Sequence, residues 1–228
     1  MSASSRGASV TRIGGIVLCG GQARRMGRDK ASLELGGRSF LTRVIDVVAS
    51  VVSPVVVVAA PGQILSLPSR ENVSLAYDQC PGQGPLHGMA RGFQELPQAI
   101  EAAFVSSCDL PLLRPEWISF LISRLDEFEV VLPIAGGYEH PLAGLYRREV
   151  ETTAWRLLDE GRRRTVSLAE EHRTLRIPEQ ELRSVDPELD SLRNVNTPGD
   201  FAMLESRWHA LQKETSNDGS TIDFQTAG

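Results

Sequence analysis

The sequence predicts an α/β fold: a mostly parallel sheet with helices on both faces. Three observations carry that expectation. Short, nearly continuous apolar runs recur along the chain, as strands covered on both faces require. Helical stretches lie between those runs, and this alternation is the pattern of a parallel sheet. The chemically pointed residues cluster just after the carboxyl ends of the runs, where open α/β sheets bind their ligands.

The elements follow in order. "GIVLC" (15–19) reads as the first strand and runs into a glycine- and arginine-rich loop. A helical stretch over 39–52 leads to "PVVVVAA" (54–60), and "VSLAY" (73–77) is the next strand. Residues 85–96 read as helix, "AAFVSSC" (102–108) as strand, and 115–127 as helix with Pro115 at its first position. "EVVLPI" (129–134) is a further strand, and "HPLAGLYRREV" (140–150) alternates like a strand after a turn. In 159–172 three consecutive arginines, Arg162, Arg163 and Arg164, stand at a helix boundary. In "LRNVNTPGDFAML" (192–204), Asn194 and Asn196 lie one residue apart on a strand and so face the same way. Thr197 then caps a helix that begins at Pro198. Trp117, Trp155 and Trp208 fit helix faces and read as core; His172 and His209 read as structural. The polar segments 1–12 and 213–228 read as disordered tails around a single domain at 13–212.

Composition narrows the function. A chain of 228 residues, 41% hydrophobic, can bury a real core. Its net charge of −5 argues against a general nucleic-acid binder. No apolar run reaches the roughly 20 residues that span a membrane, and "MSASSRGASVTR" lacks the apolar segment of a signal peptide. The three cysteines, Cys19, Cys80 and Cys108, are odd in number and lack zinc spacing. The expectation is a cytoplasmic protein with no membrane and no nucleic-acid partner.

The first loop, "GGQARRMGRDK" (20–30), points to phosphate. Gly20 and Gly21 let backbone N–H groups approach a ligand closely. Arg24, Arg25 and Arg28 add charge, and Lys30 is one of only two lysines among 24 basic residues. A compact ammonium suits a tightly held phosphate better than a planar guanidinium does. Neither G-x-x-x-x-G-K-[ST] nor G-x-G-x-x-G is present, so the two familiar phosphate loops are excluded. Asp109, after "AAFVSSC", is a candidate Mg²⁺ ligand or a cap of the turn before Pro111. Asp78, after "VSLAY", is a candidate turn cap or an acceptor for a ribose or base. His87, in the bent segment "PGQGPLHG", reads as a wall or surface residue rather than a general base.

Together the motifs resemble one family. "LCGGQARRMGRDK" is similar to the L-x-G-G-x-x-x-R-M-G-x-D-K signature of molybdenum cofactor guanylyltransferases, the MobA-like nucleotidyltransferases. "YDQCPGQGPLHG", "CDLP", "HPLAGLY", "EGRRR" and "NVNTPGD" follow in that family's order, over residues 13–208. The resemblance implies a Rossmann-like three-layer sandwich of nucleotidyltransferase type. It implies transfer of GMP from GTP to molybdopterin-bound molybdenum, with GTP and the molybdopterin cofactor as substrates. Molybdenum-insertion proteins and molybdoenzyme chaperones would be its protein partners. By motif position Leu18, Cys19, Gly20, Gly21, Lys30, Asp78 and Asp109 are GTP contacts, and Asp109 is also the Mg²⁺ ligand. Lys30, Arg24 and Arg25 would offset charge on the leaving group. A family asparagine that contacts GTP corresponds to Val58, and Cys19 and His87 stand where alanine is usual.

The second half is expected to hold the cofactor. Asn194 and Asn196 match a polar heterocycle, Arg163 and Arg164 match its phosphate, and His140 would line the pocket between them. On this division Asn196 faces the nucleotide across a cleft, although a residue near this position can serve related enzymes as a second metal ligand. The rival functions are a cytidylyltransferase acting on the same cofactor, a sugar-phosphate nucleotidyltransferase, and a non-catalytic GTP-binding regulator. Gly20 is expected to favour guanine, because a methyl there would crowd a purine edge.

Overall fold

The structure, a computed structural model, describes residues 11–20, 30–80, 82 and 84–217. Its centre is an eight-stranded sheet. Strands β1 (Ile13–Leu18), β4 (Val55–Ala59), β5 (Val73–Tyr77) and β6 (Ala102–Ser107) run parallel. β9 (Ala143–Arg147) is antiparallel to both of its neighbours, β6 and β7 (Val130–Ala135), and β10 (Thr174–Ile177) pairs parallel with β7. The order across the sheet is β10-β7-β9-β6-β1-β4-β5, with the short β8 (Tyr138–Glu139) paired to β7. A separate hairpin, β2 (Glu34–Leu35) and β3 (Arg38–Ser39), turns at Gly36 and Gly37. Both glycines have positive φ, 57° and 74°, as a two-residue hairpin loop requires.

Alternation explains the continuous apolar runs. In β1, Ile16 and Leu18 face one core and Val17 the other; in β4, Val56 and Val58 oppose Val55 and Val57. One core is closed by α1 (Phe40–Val51) and α3 (Pro115–Ile122). The other is closed by α2 (Pro85–Glu95), α4 (Val150–Asp159) and α5 (Val166–Glu171). β1 starts at Ile13, two residues ahead of the expected start at Gly15, and neighbouring side chains press on both Gly14 and Gly15. A Cβ at Gly15 would lie 2.4 Å from Val48 of α1, and one at Gly14 would lie 2.9 Å from Leu96. A small third core under α7 (Pro198–Asn217) joins Leu35, Phe40, Leu112, Val195 and Leu204. The short α6 (Glu179–Leu182) follows β10.

Several expectations need correction. α3 stops at Ile122 rather than 127, where successive i to i+3 bonds tighten the chain before the positive φ of Asp126. Asn194 and Asn196 are not in a strand: the segment after Leu192 joins no sheet. It still alternates, with Val195 buried between two exposed asparagines. The tail expected from 213 is helical through Asn217, and Arg12 is tied to the sheet through its carbonyl, which accepts from Glu101 N–H at 2.9 Å. Residues 1–10 and 218–228 lie outside the described residues.

The segment that delivers the asparagines is clamped by charge. Asp186 and Asp190 are fully buried. Asp186 accepts from the Ser191 N–H at 2.7 Å, and Asp190 accepts from Arg207 of α7 at 2.8 Å and from Arg193 at 2.8 Å. Arg114, at the start of α3, lies 3.5 Å from Asp190. Burial alone would push the Asp190 carboxyl up; the hydrogen bonds and charge of Arg207 and Arg193 outweigh it and hold the group below its usual range. A depressed carboxyl gives stability that is complete above the unfolded-state value of about 3.9 and is lost as pH falls through the folded-state value. Asp190→Asn should therefore cost about 2–4 kcal/mol at neutral pH, below the full penalty for breaking a buried pair because both arginines are partly exposed. Urea unfolding at stepped pH checks this: the gap between wild type and variant should be constant above about pH 4 and close below it.

Candidate active site

The ends of β1 and β6 build the floor of the site. A cleft of about 490 Å³ opens beyond the carboxyl ends of β1 and β6, lined among others by Leu18, Gly20, Lys30, Asp109, His140 and Asn194. The Cys108 N–H donates to the Leu18 carbonyl at 3.0 Å, so the β1–β6 ladder continues one residue past the strands. That bond aligns Cys19 with Cys108, and both thiols are buried at the floor of the cleft.

Lys30 is the hub. Its Nζ donates to Asp109 Oδ2 at 2.9 Å and to Asn196 Oδ1 at 2.7 Å. The other oxygen of Asp109 accepts from Ser107 Oγ at 2.5 Å. The Lys30 and Asp109 side chains are only 14% and 16% exposed, so water screens the pair little. Asn196 is fixed from behind by Asp200, whose carboxylate accepts from the Asn196 and Thr197 N–H groups at 2.9 and 2.8 Å. Thr197 Oγ1 accepts in return from the Asp200 N–H at 3.1 Å, a reciprocal cap that starts α7. Those backbone donors hold the Asp200 carboxyl below its usual range, and the Lys30 charge adds to them.

The donor set suits a hard divalent cation. Two oxygens, one from a carboxylate and one from an amide, already converge on a cationic nitrogen. Magnesium typically takes one or two carboxylates and completes its shell with phosphate and water. Among the described residues no cluster of three or more His, Cys, Asp or Glu could cage a metal alone. Asp109, with Asn196 beside it, would hold the ion together with a phosphate ligand.

The structure brings most of the expected residues together and moves some roles. Leu18, Cys19, Gly20, Lys30 and Asp109 line one cleft; Gly21, Arg24 and Arg25 lie outside the described residues. Asn196 is not across the cleft from the nucleotide loop but in contact with its lysine. His140 and Asn194 do line the far side, and the His140 Nε2 lies 3.2 Å from the Ala135 carbonyl. Arg162 is committed to Glu171 and Glu170 at 2.6 and 3.0 Å, which leaves it a helix-end ion pair. Arg163 and Arg164 are exposed at the rim beside Thr165. The Arg163 carbonyl would lie 3.2 Å from a Cβ at Gly84, so it packs against the start of α2. Val58 is core, with 1% exposure, and makes no polar side-chain contact. A Cβ at Gly20 would lie 3.2 Å from the backbone nitrogen of Ala60, so the end of β4 packs closely against this glycine. Asp78 caps its own turn, accepting from the Cys80 N–H at 3.0 Å, and His87 is a buried neighbour rather than a surface residue.

Two contributors escaped the sequence analysis. Ser107 lies two residues before Asp109, the spacing at which side chains share a face. Asp200 completes Thr197-x-x-Asp200, a capping-box spacing that was legible.

Known proteins share this architecture. A probable molybdenum cofactor guanylyltransferase from Mycobacterium avium is 39% identical over 198 residues, spanning 85% of this chain and 95% of that one. The molybdopterin-guanine dinucleotide biosynthesis protein A of Archaeoglobus fulgidus has the same fold, with a TM-score of 0.71 over 86% of this chain and 99% of that one, at 23% identity. A Mycobacterium tuberculosis protein solved in complex with manganese superposes with a TM-score of 0.56 over 87% of this chain and all of that one, at 16% identity. Residues 15–175 match the MobA-like NTP transferase domain. The chain belongs to that family of nucleotidyltransferases.

Proposed function

We propose that the chain transfers GMP from GTP to the molybdopterin-bound molybdenum cofactor, forming molybdopterin guanine dinucleotide and pyrophosphate. The observation that carries this reading is the Lys30–Asp109–Asn196 cluster at the strand ends, in a chain closely similar to probable guanylyltransferases of that cofactor. In this reading residues 13–212 act as one domain in the cytoplasm. The product passes to molybdoenzymes through molybdenum-insertion proteins and chaperones.

The chemistry needs positioning and charge neutralisation more than a covalent intermediate. The terminal phosphate of molybdopterin attacks the α-phosphorus of GTP, the bond to the β-phosphate oxygen breaks, and pyrophosphate leaves. Bound Mg²⁺ would supply neutralisation of phosphate charge. Asp109 would hold that ion, and Ser107 fixes the carboxylate that would do so. Lys30 stabilises the charge that grows on the leaving group, with Arg24 and Arg25 beside it in the chain. His140 and Asn194 line the far wall for the pterin, and Arg163 and Arg164 at the rim meet its phosphate. Asn196 belongs with the nucleotide and metal, because its oxygen shares the Lys30 ammonium with Asp109.

Pyrophosphate release from each nucleoside triphosphate, with and without molybdenum cofactor, tests the reaction. GTP with cofactor should be the productive pair, and Asp109→Asn should nearly abolish it while the thermal midpoint holds. Near-normal turnover of that variant at saturating Mg²⁺ would remove Asp109 from the metal site. Preference for CTP would replace the function with its cytidylyl counterpart.

Lys30→Ala should cost about 2–4 kcal/mol of transition-state stabilisation, the scale of one preorganised charge contact, which is roughly 30- to 1,000-fold in kcat/KM. Lys30→Arg should recover little of it, since a planar fork cannot replace a point charge between two oxygens. Full recovery by arginine would mean that only net charge matters there.

Separate titrations of GTP and cofactor divide the cleft. Asn196→Ala should weaken Mg-GTP binding, whereas Arg163→Ala combined with Arg164→Ala should weaken cofactor binding and spare GTP. The opposite pattern would return Asn196 to the pterin half.

A further inference from the structure

His87 is a buried polar residue that the chemistry above leaves unused. It is the third residue of α2 and is 9% exposed. Its Nδ1 lies 2.6 Å from Asp78 Oδ1, close but not aligned as a hydrogen bond. Trp155 of α4 meets the imidazole edge-on, with centroids 5.3 Å apart and planes at 88°. That contact restrains the ring.

Asp78 is held just as firmly. Its N–H donates to the Ala59 carbonyl at 2.8 Å, and its Oδ1 also accepts from the Cys80 N–H at 3.0 Å. Both side-chain contacts therefore fall on Oδ1. No hydrogen bond to Oδ2 forms among the described residues, although the side chain is only 15% exposed. That oxygen is not sealed from solvent, so it stays open to a donor on a bound ligand.

Distance decides which part of a nucleotide can supply it. Asp78 follows β5 and Asp109 follows β6, three strands apart in the order β6-β1-β4-β5. At about 4.8 Å per strand the two carboxylates stand roughly 14 Å apart along the end of the sheet. That is too far for Asp78 to share the metal or the phosphates. It matches the reach from a nucleotide's phosphates to the far edge of its base. Guanine presents an N1–H and an exocyclic N–H there, both donors, whereas the corresponding position of adenine is an acceptor.

We propose that His87 is a positioning residue for nucleotide selection: it pins Asp78 by Oδ1 so that Oδ2 accepts from the donor edge of guanine. This rests on the cleft being a GTP site. A site built to hydrogen-bond a donor rejects analogues that lack it, since the acceptor is then left unpaired.

Calorimetric titration of GTP, ITP and 2′-deoxy-GTP into the full chain tests the proposal, followed by the same titrations on His87→Ala. Wild type should prefer GTP to ITP, which lacks the exocyclic amine. His87→Ala should weaken GTP about ten-fold, the scale of loosening one polar contact to a charged group, and narrow the GTP/ITP gap. KM for GTP should rise with little change in kcat, because the lost contact is made equally in ground and transition states. KM for the cofactor should stay unchanged, and His87→Gln, which keeps a donor, should recover part of the loss. In an Asp78→Ala background, removing His87 should cost no further GTP affinity, since the histidine acts through that carboxylate. Unchanged GTP affinity in His87→Ala overturns the role. So does an equal loss for all three nucleotides with additive effects in the double variant, which would mark a packing defect. Narrowed discrimination against 2′-deoxy-GTP but not ITP would overturn the base assignment and place Oδ2 on the ribose. A wild-type chain that binds CTP and ignores GTP refutes the guanylyl reading itself, whatever the histidine does.

Discussion

One ammonium group joins the parts of this site. Lys30 contacts a carboxylate 79 residues away and an amide 166 residues away, so three distant segments meet at one nitrogen. Contacts of such separation carry a large loop-closure cost and form only once the sheet has brought their anchors together. They also make the site's two halves interdependent. Leaving a partly buried charge without its partner costs several kcal/mol in a fully buried setting, and less where each side chain keeps some exposure. A ligand that draws Lys30 toward phosphate must therefore offer Asp109 a replacement cation, so metal and nucleotide are expected to bind as a unit.

The scaffold beneath supplies rigidity in layers. β1 and β6 lie side by side at the middle of the sheet, buried on both faces, and their ends set the positions of Gly20 and Asp109. The third contributor, Asn196, has no strand to hold it. Aspartates take that role: buried Asp186 and Asp190 bind the backbone of the preceding turn, Arg193 beside it and Arg207 of α7, and Asp200 binds the backbone of Asn196 itself. The asparagine is thus placed by charge-assisted hydrogen bonds where the sheet does not extend.

Much of this was legible in the sequence because its signals are local. Continuous apolar runs marked β1, β4, β5, β6 and β7, and residues following strand ends marked Asp78 and Asp109, since both follow from the period of a strand covered on two faces. What stayed hidden was non-local. The reversal of β9 depends on which neighbours it joins, and nothing in "AGLYR" distinguishes antiparallel from parallel pairing. β10 was missed because "TLRI" is short, is only partly buried and sits on the edge. Asn196 was assigned to the wrong wall because its place in the chain, after the pterin-side motifs, suggested its place in space. The close approach of Gly20 to Ala60 was hidden for the same reason: it is set by the end of β4, far along the chain.

Charge balance connects these points. The chain carries a net charge of −5, so a triphosphate approaches an acidic protein and must find a local positive region. At rest Lys30 and Asp109 neutralise each other, and Asn196 adds a dipole without charge. A carboxylate at position 196 would hold the lysine more tightly and add repulsion against phosphate. An amide there accepts from the same ammonium at 2.7 Å while leaving the site one negative charge lighter. Under the proposed function the base end works in the opposite sense: Asp78, some 14 Å along the sheet, would face a neutral heterocycle rather than phosphate. Acceptors at the base end and cations at the phosphate end orient a nucleotide in one direction only. Under the same reading the far wall of His140 and Asn194 would be left for the second substrate.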